Sequence, residues 1–143
     1  MAMLPQYSLD DFHQLCFYTL AHPDQAYFIH QHAVDAWQVQ TASADAKPIS
    51  IVFGLVGLYL YLEKGYSGKA VQNAHVQLAQ RKTLIPNVSL PTQRGDITIA
   101  DVLQAAPGPA RDAMIGQWCQ SIWQACTPCH EAIKEYLLRQ GYQ

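Results

Sequence analysis

The sequence predicts an all-α protein, a helical bundle of about four main helices plus short extra helices. Three observations carry that expectation. Apolar residues recur at steps of three and four over several long stretches. No stretch of comparable length alternates apolar and polar side chains as a strand does. The apolar fraction, 50% against only 14% charged residues, is enough to bury a sizeable core within 143 residues. That length matches one domain, residues 1–143, and no shift of composition along the chain argues for two.

In the first helix Ser8 is a cap with Asp11 three residues later, and Phe12, Leu15, Cys16 and Leu20 form its stripe up to the break at His22-Pro23. Asp24 is placed to cap a second helix that runs to about Ala42, and Ser43 to Lys47 reads as a connector. The third helix fills Pro48 to Lys64 and is apolar on all sides, as suits an element surrounded by others, with Gly54 and Gly57 permitting close backbone approach. A bilayer span needs about 20 apolar residues, so the shorter run Ile49 to Leu62 is expected in a protein core and not in a membrane. Gly65 can end this helix, Ser67 can cap a fourth, and Val71, Ala74, His75 and Leu78 make its stripe as far as Lys82.

Residues 83–97, with Pro86, Pro91 and Gly95, form a long loop of the kind that serves as a lid or packing arm. Thr98 and Asp101 start a short helix that stops before Pro107. From Ala110 the series Ile115, Trp118, Cys119, Ile122, Cys126, His130, Ile133 and Leu137 predicts the longest helix, kinked or opened at Pro128.

Charge narrows the partners. Nine Lys and Arg against eleven Asp and Glu leave a formal charge of −2, so the basic footprint of a nucleic-acid-binding protein is missing. Met1 to Asp10 has neither Lys nor Arg nor a long apolar run, so no export signal is read there and a cytoplasmic protein with free thiols is expected.

The residues that could carry chemistry are histidines on apolar stripes. On the second helix His32 shares a side with Ala36 and Val39, His30 lies at the other margin beside Val34 and Trp37, and Asp35 stands near the polar edge. His75 and His130 sit on the stripes of the fourth and last helices. Imidazole and carboxylate groups on facing helices are how bundles hold transition metals. His30, His32, Asp35, His75 and His130 are therefore the candidate ligands of a divalent metal such as zinc, nickel or iron. With Cys126 or Cys129 assisting, such a metal could activate a water for hydrolysis or transfer on an unknown small-molecule substrate, Asp35 acting as base or orienter. The plainer reading makes each histidine a core residue that donates to a backbone carbonyl.

Cys126-Thr127-Pro128-Cys129-His130 fits the CxxCH haem-attachment pattern, but with no export signal and no Met after Met114 to serve as an axial ligand, no haem is expected. A thioredoxin-type pair belongs where a strand enters a helix, whereas here a helical stripe precedes the cysteines. Cys129 and His130, as neighbours on a helix, diverge by about 100° and make a poor nucleophile and base. Arg94 is either an anion clamp or a loop anchor held by an ion pair. Trp118 and Trp123 flank opposite sides of their stripe, so at least one is expected to be exposed unless another helix or subunit covers it. That is the basis for a homodimer, and for the alternative of a non-catalytic interaction module with structural histidines.

Four segments carry a resemblance: His30 to Gln40, the apolar helix ending in Leu62-Glu63-Lys64-Gly65, Arg94 to Val102, and Ser121 through His130. In these the chain resembles a family of uncharacterised bacterial helical proteins, a domain of unknown function. The resemblance implies a metal or polar site across the bundle, with His30, Asp35 and His130 matching and His75 shared with the nearer-looking relatives. It also implies a His in the central helix and another after Gln40, where this chain has Gly54 and Thr41.

Overall fold

Among the described residues the helices follow the order the periodicity predicts, with the expected last one divided in two. The computed structural model describes residues 3–81 and 84–142. The helices are α1 (Leu9–Leu20), α2 (His30–Thr41), α3 (Pro48–Lys64), α4 (Gly68–Gln80), α5 (Ile99–Gln104), α6 (Pro109–Ala125) and α7 (His130–Arg139), with one turn of 3-10 helix, Thr127–Cys129, between the last two. The fold is all-α, and among the described residues the only strand-like pairing is a single antiparallel bridge from Met3 to Ala42. No described helix is long and apolar enough to cross a membrane.

The caps explain most helix starts. Ser8 Oγ accepts from the Asp11 N–H at 3.4 Å, and Ser67 Oγ accepts from the Ala70 N–H at 3.1 Å. Thr98 and Asp101 form a reciprocal capping box on α5. Pro48 opens α3, where its missing N–H costs nothing, and α3 ends at Gly65 in the left-handed conformation.

Two boundaries differ from the sequence expectation. Asp24 does cap a turn, its Oδ1 accepting from the Tyr27 N–H at 3.0 Å, but Phe28 takes φ +63° and interrupts the helical path. The second helix therefore starts at His30. A tie to α4, Lys69 N–H to the Tyr27 carbonyl at 3.0 Å, holds that segment in place. The expected last helix becomes two. Pro128 has no N–H to give the Gln124 carbonyl, which instead accepts from Thr127 Oγ1 at 2.6 Å, and the chain passes through a 3-10 turn before resuming. The expected end of the fourth helix, Lys82, lies outside the described residues.

α2 packs against α1, α3, α4 and α6, and α3 also meets α4, α6 and α7. Their shared interior is one apolar cluster in which Leu15, Val39, Leu55, Leu58, Val102, Ile115, Trp118, Ile122 and Ile133 are fully enclosed. The long loop runs over this bundle. Arg94 fixes it there by donating to the carbonyls of Val39, Gln40 and Ala42 at the end of α2, while Gln40 Nε2 donates to the Arg94 and Ile97 carbonyls. Arg94 is thus a loop anchor, and its partners are backbone carbonyls instead of the expected ion pair. Those carbonyls are the ones a helix C-terminus leaves unpaired.

Candidate functional site

The five candidate residues do not converge. Among the described residues, no group of three His, Cys, Asp or Glu side chains is placed to hold a metal ion. His30 is half-buried, with Nδ1 2.8 Å from Thr19 Oγ1 of α1. His32 is enclosed, stacked on the Tyr61 ring at 3.6 Å between centroids, with Nε2 3.2 Å from the Tyr27 hydroxyl and Nδ1 without a partner among the described residues. Burial in this aromatic slot pulls its pKa down to about 4, so the ring is neutral at physiological pH. His130 opens α7, stacks on Trp123 at 3.7 Å, and has Nε2 2.8 Å from the Trp123 carbonyl oxygen. For His130 the plain reading, a donor to a backbone carbonyl, describes the geometry.

Asp35 and His75 come together. Both line a cleft of about 320 Å³ bounded by α2, the first turns of α3, and α4, with Gln31, Val34, Gln38, Ile49, Ser50, Phe53 and Gly54 completing the wall. Gln31 bridges the two, its Nε2 3.1 Å from Asp35 Oδ1 and 3.4 Å from His75 Nδ1. His75 Nε2 lies 2.8 Å from the Phe53 carbonyl oxygen, and its ring stacks on that of Phe53 at 5.3 Å. A carbonyl can only accept, so Nε2 carries the proton and Nδ1 presents its lone pair. Burial lowers the His75 pKa, with the Phe53 hydrogen bond opposing in part, and the ring stays neutral.

Asp35 is a buried acid. Its side chain reaches the floor between α2 and α3, where a Cβ on Gly57 would land on Oδ2. Among the described residues Oδ2 has no hydrogen-bond partner, and Asp35 is 3% exposed. Desolvation drives its pKa well above the usual carboxylate range, opposed only by the Gln31 hydrogen bond. The same burial, with Asp35 nearby, raises the Cys119 thiol. Gly54 lines the cleft too, so one position where the resemblance implies a histidine faces this site. A Cβ there would stand 2.8 Å from Val39 Cγ2, which closes the place to a side chain unless Val39 moves.

Cys126, Cys129, Trp118 and Trp123 are core residues. Cys126 and Cys129 are buried, Cys129 donates to the Ser89 carbonyl at 3.4 Å, and burial pushes the Cys126 thiol up to about 12. Trp118 and Trp123 are both covered by the chain itself, their indole N–H groups donating to Gln40 Oε1 at 2.8 Å and Glu63 Oε2 at 2.6 Å. Neither presents the surface on which a homodimer was expected.

Sequence reasoning missed Gln31, although its spacing of four from Asp35 is a helical pair that would have marked it. It also missed the pairing of His22 with Asp112, at 2.7 Å, beside a second cleft of about 590 Å³ between α1 and the start of α6. Those partners are 90 residues apart and no local pattern links them. Asp112 there accepts from Tyr18 as well, so its carboxylate is already engaged.

A model of a family of unknown function, DUF5946, matches residues 9–127. The chain belongs to this family. No curated protein and no solved structure matches the chain. The DUF5946 match takes in every residue lining the Asp35–His75 cleft and stops short of His130 and α7.

Proposed function

We propose that this DUF5946 protein binds a small molecule in the cleft between α2, α3 and α4. The observation that carries this reading is the meeting of Asp35 and His75 on Gln31 in an open, partly apolar cleft. A cavity with apolar walls and a few converging polar groups of shifted pKa is the usual form of a ligand site. Its size, at the lower end of such sites, selects a ligand of a few heavy atoms. Crystals soaked with a library of small neutral fragments test the reading. Fragments should collect beside Asp35 and His75 and be excluded by Ser50→Phe, which adds a ring to the cleft lining; collection in the α1–α6 cleft alone would overturn it.

One observation favours a second reading, a divalent zinc, nickel or iron ion in the same cleft. The Phe53 carbonyl orients His75 through Nε2 and leaves Nδ1 facing Gln31, the way a backbone carbonyl orients metal-bound histidines. Asp35 and His75 are two donors where a catalytic site uses three, so the Gln31 oxygen would have to turn inward as the third. Elemental analysis of protein purified without chelator distinguishes the readings. Stoichiometric metal lost in both Asp35→Asn and His75→Ala supports the ion, and its absence from the unaltered protein supports the organic ligand.

A further inference from the structure

The floor of the cleft already holds a ligand-like group, the side-chain carboxamide of Gln31. Its orientation is fixed by the hydrogen bond from His75 to Phe53. Because His75 Nε2–H is committed to the Phe53 carbonyl, Nδ1 is an acceptor, and the group facing it must be the Gln31 NH2. The same NH2 donates to Asp35 Oδ1. One NH2 group thus serves two acceptors that belong to different helices, α2 and α4.

The rest of the lining sets the chemistry of anything that replaces it. Gln38 and Ser50 are the other polar side chains, both only half-buried, and both can donate to a carbonyl oxygen. Val34, Ile49 and the Phe53 ring supply apolar wall. Among the described residues no Lys or Arg lines the cleft to offer an anion a counter-charge. A cation would require an ionised Asp35, which burial disfavours.

We propose that the cleft takes a small, uncharged primary carboxamide, whose NH2 displaces that of Gln31 between Asp35 Oδ1 and His75 Nδ1. The ligand carbonyl then accepts from Gln38 or Ser50, and a short apolar body lies against Phe53. Gln31 is a built-in plug that the ligand exchanges like for like. This inference rests on the reading of the cleft as a small-molecule site.

Isobutyramide is the probe, with isobutyrate and N,N-dimethylisobutyramide as matched comparisons, followed through the Val34 and Ile49 methyl signals of the full chain by NMR. Isobutyramide should shift both signals saturably and bind about tenfold or more tightly than either comparison, because a site built to receive an NH2 rejects analogues without one. In Gln31→Leu, with its fold verified by thermal melting, isobutyramide should bind more tightly, since no internal group competes; weaker binding there would contradict the plug. Where that variant does not fold, the three compounds on the unaltered protein decide. Equal binding of the dimethylamide in the same cleft would overturn the carboxamide while leaving the cleft as a ligand site. No methyl shift with any of the three would overturn both.

Discussion

At position 57 a hydrogen atom stands where any other residue would drive a Cβ into the Asp35 carboxyl. The contact is with a short side chain enclosed by two packed helices, so it has little freedom to yield. Gly57→Ala should therefore destabilise the fold by about 1–3 kcal/mol, the usual range for overpacking, as read from the urea midpoint. Asp35 itself makes stability depend on pH in a particular direction. Its folded pKa lies above the model value of 3.8, so above that pH the unfolded chain releases a proton that the folded chain keeps. Stability contributed by Asp35 is whole below 3.8 and falls as pH rises toward the folded pKa. Asp35→Asn should remove that decline, which urea titrations at a series of pH values will show. The sequence placed Asp35 at a polar helix edge; its burial comes from Gly57 of a neighbouring helix, and no window along α2 contains that information.

At the scale of elements, the long loop and α2 depend on each other. Arg94 satisfies three carbonyls at the α2 terminus, and Gln40 of α2 returns two hydrogen bonds to the loop while accepting from Trp118 of α6. Arg94→Ala should leave those carbonyls unpaired, costing about 1–3 kcal/mol, and should raise amide exchange in residues 84–97 far more than in α3. Arg94→Lys should not restore protection, because an ammonium cannot span carbonyls that the guanidinium fork reaches together. Helix starts at Ser8, Pro48, Ser67 and Thr98 were legible because capping is local chemistry. The start of α2 was not, since Phe28 is a bulky residue at positive φ that only its surroundings hold there. The division between α6 and α7 was legible as a disturbance at Pro128, though not as two separate helices.

For the whole molecule, buried neutral histidines set the acid limit of stability. Burial lowers the pKa of His30, His32 and His75 below the model value of 6.5, and that of His32 to about 4. Below pH 6.5 the unfolded chain takes up protons that the folded chain refuses, so stability falls as pH falls. For His32 the loss is complete near pH 4 and amounts to about 3 kcal/mol, from the interval between 6.5 and about 4 at 1.36 kcal/mol per unit. His32→Phe, which keeps a ring against Tyr61, should flatten most of this acid limb in thermal melts between pH 4 and 7. Asp35 acts in the opposite sense from pH 3.8 upward, so it offsets part of this acid limb in the unaltered protein, and Asp35→Asn should steepen it. The all-α bundle and the chemical types in its interior were thus legible from periodicity. Their meeting at Gln31 was not, because it depends on how α4 lies across α2 and α3.

The central claim is that burial disfavours charge on the cleft floor, which presents its acceptors to a neutral ligand. The most direct measurement is a ¹³C NMR titration of the Asp35 side-chain carboxyl, assigned by comparison with Asp35→Asn. The account predicts a protonated carboxyl that starts to titrate only well above pH 3.8. A carboxyl that ionises near pH 3.8 would contradict it, since an anionic floor suits a cation and not the carboxamide proposed for this site.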